Sequence, residues 1–102
     1  MPKEKREGRL EEVFILLNRK TAEATAEVAA AIEAIGGRPL YLYPPGTIIT
    51  LIPKKKIEQL KVRNDILSVD LDEIEEKRIR QASPEIGFVM AAWNQHLRQK
   101  RG

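Results

Sequence analysis

Residues 12–72 read EVFILLNRKTAEATAEVAAAIEAIGGRPLYLYPPGTIITLIPKKKIEQLKVRNDILSVDLD, and their periodicity alternates between that of a strand and that of a helix. Glu12–Asn18 is a strand that is apolar on both sides, Val13, Ile15 and Leu17 projecting one way and Phe14 and Leu16 the other. Thr21–Ile35 carries Thr25, Val28, Ala29, Ile32 and Ile35 at helical spacing, with Thr21 as its N-cap and Gly36-Gly37 as its stop. Leu40–Tyr43 and Thr47–Ile52 are strands flanking the turn Pro44-Pro45-Gly46. In the first of them Leu40 and Leu42 are expected inward and Tyr41 and Tyr43 outward. Lys54–Val62 is a short helix with Ile57 and Leu60 inward, and Ile66–Leu71 is a last strand with Leu67, Val69 and Leu71 inward. Two β-α-β halves in about sixty residues predict an α+β fold, the ferredoxin-like βαββαβ sandwich with a four-stranded antiparallel sheet.

Outward from this stretch the chain changes character. Asp72–Arg80 is densely charged, acidic first and basic second, an order that suits a helix dipole and i,i+4 pairing of Glu73 with Lys77 and Glu76 with Arg80. Ser83-Pro84-Glu85 then starts an amphipathic C-terminal helix, with Ser83 as N-cap. Ile86, Val89, Met90, Trp93 and Leu97 form its apolar stripe, and Asn94, Gln95, Arg98 and Gln99 fall on its polar side. The expected organisation is a charged tail at 1–10, a ferredoxin-like domain at 11–73, and a charged linker with the C-terminal helix at 74–102. Residues 1–8 and 99–102 read as disordered.

Composition removes several chemistries. With 102 residues there is room for one modest core. No cysteine is present, which excludes disulfides, thiolate metal sites and cysteine nucleophiles, and the single histidine is His96. No cofactor or metal is expected. The acidic cluster Asp70, Asp72, Glu73, Glu75 and Glu76 reads as a solvated charged helix, and Ser83 as a cap rather than a nucleophile. No catalytic acid–base pair emerges, so the chain reads as a non-enzyme. The start of the chain has no apolar segment of the secretory kind, and no run reaches the length of a membrane span, so a soluble cytoplasmic protein is expected. The net charge of +3 is carried by the ends, leaving residues 10–97 slightly acidic, which argues against a nucleic-acid stripe. Lys54-Lys55-Lys56 stands apart: three cations opening a helix oppose its dipole, so they are either a solvated turn or a contact for a partner.

Helices on one side of a four-stranded sheet leave its other face open. The residues predicted there are Phe14, Leu16, Tyr41, Tyr43, Ile48, Thr50, Ile52, Ser68 and Asp70, an apolar and aromatic patch too large to leave in water. The C-terminal helix, a second copy of the chain, or another protein or peptide would cover it. Phe14, Tyr41, Tyr43, Ile48 and Trp93 are the expected anchors of a polypeptide-binding surface. Capture of a peptide along an edge strand, two or four in the ferredoxin-like order, is the accompanying mode. Pro39, Pro44 and Pro45 bracket strand two and also read as edge protection.

The segment from Gly36 to Asp72 resembles the subtilisin-propeptide family of protease inhibitors and intramolecular chaperones. The residues that carry the resemblance are Gly36-Gly37, the aliphatic third strand running into Pro53, the second helix, and Asn64-Asp65-Ile66-Leu67-Ser68-Val69-Asp70-Leu71-Asp72. It covers roughly residues 11–73 and implies that the open sheet face docks on a protease, with a tail from Leu71-Asp72-Glu73 running into the substrate cleft. An accessory subunit that holds a peptide-modifying enzyme or its substrate peptide uses the same scaffold and is the alternative. An RNA-recognition domain shares the element order, but strand three lacks the basic, glycine and aromatic run such a domain needs. A small-molecule sensor of the ACT type shares it too, without a glycine-rich ligand turn here.

Overall fold

Strand β1 (Leu10–Leu17) leads into helix α1 (Ala22–Ala34), strands β2 (Arg38–Tyr43) and β3 (Thr47–Pro53), a 3-10 turn (Lys54–Lys56), helix α2 (Ile57–Lys61) and strand β4 (Ile66–Asp70). Helices α3 (Glu76–Gln81) and α4 (Pro84–Arg101) follow. This computed structural model describes residues 9–43 and 46–101; the disordered end expected at 1–8, residue 102 and the Pro44-Pro45 part of the turn lie outside the described residues, whereas 99–101, also expected to be disordered, continue the last helix. The chain divides into two units, Met1–Val69 and Asp70–Gly102.

In the first unit the strands lie in the order β2-β3-β1-β4, with β3 antiparallel to both neighbours. The α+β, four-stranded antiparallel architecture is therefore as the sequence predicts, and its arrangement is compatible with a ferredoxin-like fold. The caps agree as well: Thr21 Oγ1 accepts from the Ala24 N–H at 3.0 Å, and Gly36 leaves α1 at φ 96°. The buried stripe of α1 is Ala24, Thr25, Val28, Ala29 and Ile32, and Ile57 and Leu60 are the buried residues of α2. Thr25 also anchors the β2–β3 turn, its Oγ1 accepting from the Gly46 N–H at 3.0 Å while the Gly46 carbonyl accepts from Leu17 N–H at 2.8 Å. Gly46 has φ 107°, a backbone state that a side chain would strain.

The register corrects the predicted open face. Phe14 opposes Ile49, Leu16 opposes Thr47, and Tyr41 also opposes Ile49, so these residues share one face of the sheet. Ile48, Thr50 and Ile52 oppose Ile15, Val13 and Glu11 and project from the other face. The set expected on one face is thus split between two. Leu42, expected inward, is 42% exposed on the edge strand, and Leu67 of β4 is 57% exposed while its neighbour Ile66 is buried.

Where the sequence predicts a helix from Asp72, α3 begins only at Glu76. The reason lies in α4, which bonds to three consecutive residues of the intervening segment. Trp93 Nε1 donates to the Asp72 carbonyl at 3.1 Å, and Arg98 donates from Nε and Nη2 to Glu73 Oε1 at 3.2 and 3.0 Å. Asn94 Oδ1 accepts from the Ile74 N–H at 2.7 Å and its Nδ2 donates to the Ile74 carbonyl at 2.9 Å. Asn94, expected on the polar side, is therefore buried, and Glu73 pairs with Arg98 instead of Lys77. Ser83 does cap α4, though at a long 3.4 Å to the Ile86 N–H, and the whole predicted stripe from Ile86 to Leu97 is buried.

One exposed ion pair gives the first unit a pH dependence. In the turn before β4, Arg63 donates from Nε and Nη2 to the two carboxylate oxygens of Asp65 at 2.9 and 2.8 Å. These bonds hold the Asp65 carboxyl below its ordinary value of 3.8. A lowered folded-state pKa means that the stabilisation is present above the ordinary value and lost as pH falls through the folded one. The pair is partly exposed, which limits it to about 1 kcal/mol. The stability gap between wild type and Asp65→Asn is expected to be widest near pH ~7 and to close toward pH ~2, as denaturant melts at both pH values would show.

Candidate functional site

The exposed apolar surface of the sheet is concentrated on β2. As an edge strand it pairs on one side only, with β3. Alternation sends Tyr41 and Tyr43 to the same face, where their rings stack with centroids 6.1 Å apart and planes 27° from parallel. Tyr41 is 56% exposed and Tyr43 37%, and Leu42 shows its side chain on the opposite face. The strand is bulged between Pro39 and Tyr41, and Thr47 Oγ1 donates to the Tyr43 carbonyl at 3.0 Å, fixing the hairpin end. Apolar groups therefore flank one unpaired strand edge on both sides. Such an edge accepts an extended chain by main-chain bonding, with tyrosines ready to cover its side chains.

No protein-family model, curated protein or solved structure matches the chain.

The predicted anchors divide accordingly. Tyr41 and Tyr43 are exposed together, whereas Phe14, Leu16, Ile48, Thr50, Ile52 and Trp93 are buried in the chain. Asp70 is half-buried and occupied, both of its oxygens accepting from the Arg78 guanidinium at 2.8 and 3.0 Å, bonds that raise the Arg78 pKa. The segment Leu71-Asp72-Glu73, which the propeptide resemblance implies as an extended tail, has Asp72 and Glu73 engaged by α4. Sequence reasoning passed over Phe88, 75% exposed on α4, and Val62, 77% exposed after α2. Phe88 was recoverable: at 100° per residue it lies directly opposite Leu97, so it cannot belong to the buried stripe.

Among the described residues, no three acidic or histidine side chains come together as metal ligands. His96 lies against Trp93 with ring centroids 6.1 Å apart. A depression of about 200 Å³ at the start of α1 is lined by Arg19, Thr21, Glu23, Ala24 and Glu27, with both carboxylates on the exposed side of the helix. No described helix is long and apolar enough to cross a membrane.

Proposed function

We propose that the chain is a non-catalytic, cytoplasmic polypeptide-binding module that docks an extended segment of a partner protein along the β2 edge. The observation that carries this reading is the stacked, exposed Tyr41–Tyr43 pair beside Leu42 on an edge strand with one unpaired side. Tyrosine buries a large area at small entropic cost, and an edge strand supplies main-chain donors and acceptors without rearrangement. The resemblance to subtilisin propeptides makes a protease the first partner class, in an inhibitor-like or chaperone-like role. The second reading, an accessory subunit for a peptide-modifying enzyme or its substrate peptide, is favoured by Phe88, which offers a separate aromatic contact on α4.

Titration of subtilisin with the full chain and with a Tyr41→Ala, Tyr43→Ala double variant tests the reading. Inhibition that weakens about tenfold or more in the variant, at unchanged melting temperature, supports docking at this edge. Absence of inhibition combined with capture of extended peptides from an array moves the chain to the accessory reading. A folded chain that does neither is not a polypeptide-binding module.

A further inference from the structure

We infer that the segment docked on β2 is acidic, its carboxylates meeting a basic end of the sheet; this rests on the polypeptide-binding reading above. Arg38 opens β2 opposite Leu51, and β3 then ends at Pro53 and runs directly into Lys54-Lys55-Lys56. Leu10 opposes Pro53 and Lys54 N–H donates to the Arg9 carbonyl at 3.0 Å, which brings Arg9 to the same end. Arg38, Lys54 and Lys55 are exposed and Lys56 is half-buried.

Among the described residues, the nearby acids leave Arg38 and the three lysines without an ion pair. Glu11 is paired with Arg9 at 4.0 Å and Glu58 with Lys61 at 3.6 Å. Glu12 lies in the same cross-strand row as Arg38 but two strands away, about 10 Å. An anion placed among these cations relieves their mutual repulsion.

Strand geometry links this cluster to the tyrosines. From Tyr43 to Arg38 the strand spans roughly 17 Å, so a segment of about six residues reaches from the aromatic pair to Arg38, with Lys54–Lys56 one strand further in at the end of β3. Pro39 has no N–H to offer, which confines uninterrupted main-chain pairing to residues 40–43. So short a ladder discriminates poorly among extended chains, and charge supplies the selectivity that it lacks.

Fluorescence anisotropy with the full chain tests the inference, using three labelled peptides of about ten residues. They share an alternating valine–threonine core and differ only in flanking Glu, Gln or Lys. The Glu-flanked peptide is expected to bind about tenfold more tightly than the Gln-flanked one and to lose that advantage at ~1 M salt. Combined Arg38→Glu, Lys54→Glu and Lys55→Glu substitutions, with folding checked by melting, are expected to reverse the order of the Glu and Lys peptides. Equal affinity for all three peptides overturns the acidic preference and leaves polypeptide binding standing. No binding of any peptide by the folded chain overturns both. A single-stranded oligonucleotide that binds more tightly than the Glu-flanked peptide assigns the cations to phosphate and overturns the inference.

Discussion

Gly37→Ala is expected to destabilise the chain by about 3 kcal/mol, the upper range for an overpacked site. A Cβ at position 37 would stand 2.5 Å from Ile32 Cγ2, 2.9 Å from the Leu51 carbonyl oxygen and 3.1 Å from that of Ile32. None of these neighbours has an easy retreat. Ile32 is fully buried, and Leu51 belongs to β3, which is paired on both sides. The Leu51 carbonyl also accepts from Thr50 Oγ1 at 3.0 Å, and the Ile32 carbonyl accepts from Gly37 N–H at 2.8 Å. In a roomy site the same change would stabilise by about 0.4–1 kcal/mol through the unfolded chain, so the sign of the effect is diagnostic. Urea unfolding should show a lower midpoint at unchanged slope. A loss below ~1 kcal/mol would mean that the α1–β2 turn yields and that close packing does not explain the second glycine.

That glycine shows what the sequence disclosed and what it withheld. Gly36-Gly37 was legible as a helix stop because a glycine pair at the end of an apolar stripe supplies the positive φ that ends a helix at little cost. Which glycine turns the chain and which permits a close approach was not, since the second depends on where β3 passes. The element order was legible for a similar reason: period and punctuation are local properties. The pairing register was not. On β3 the sets Thr47, Ile49, Leu51 and Ile48, Thr50, Ile52 are equally apolar, so alternation carries no information about which one faces Phe14. A single extra residue, the Leu40 bulge, then resets the phase of β2 as well.

The candidate site was half legible. Tyr41 and Tyr43 stood out as aromatics on an edge strand, and the edge followed from the predicted topology. Phe14, Ile48 and Ile52 are buried, which the sequence did not show because apolarity alone does not separate a core residue from a docking residue. The cations show the reverse problem. Lys54-Lys55-Lys56 was visible as a local conflict with the helix dipole, but its alignment with Arg38 and Arg9 needed the sheet register and one hydrogen bond. Asn94 was hidden for a further reason. Helical periodicity classes it with the polar residues, and its burial reflects backbone groups that no side-chain pattern records.

Those backbone groups make Asn94 the second sensitive position, with an expected loss of about 3 kcal/mol for Asn94→Ala. The side chain serves the Ile74 N–H and carbonyl together, both bonds being buried. Removing it strands two main-chain polar groups at about 1–3 kcal/mol each, offset by whatever water can enter. Asn94→Asp separates the two bonds. A carboxylate still accepts from the Ile74 N–H but repels the Ile74 carbonyl, and its burial raises its pKa. The penalty of Asn94→Asp is therefore expected to ease as pH falls through the carboxylate range and the protonated group regains a donor. Hydrogen exchange at the Ile74 amide gives the local reading: Asn94→Ala should speed it about hundredfold, the equivalent of two decades in the opening equilibrium. Unchanged exchange there would mean that Asp72–Glu75 keeps its non-helical path without the Asn94 bonds. The delayed start of α3 would then have to come from the Trp93 and Arg98 contacts alone.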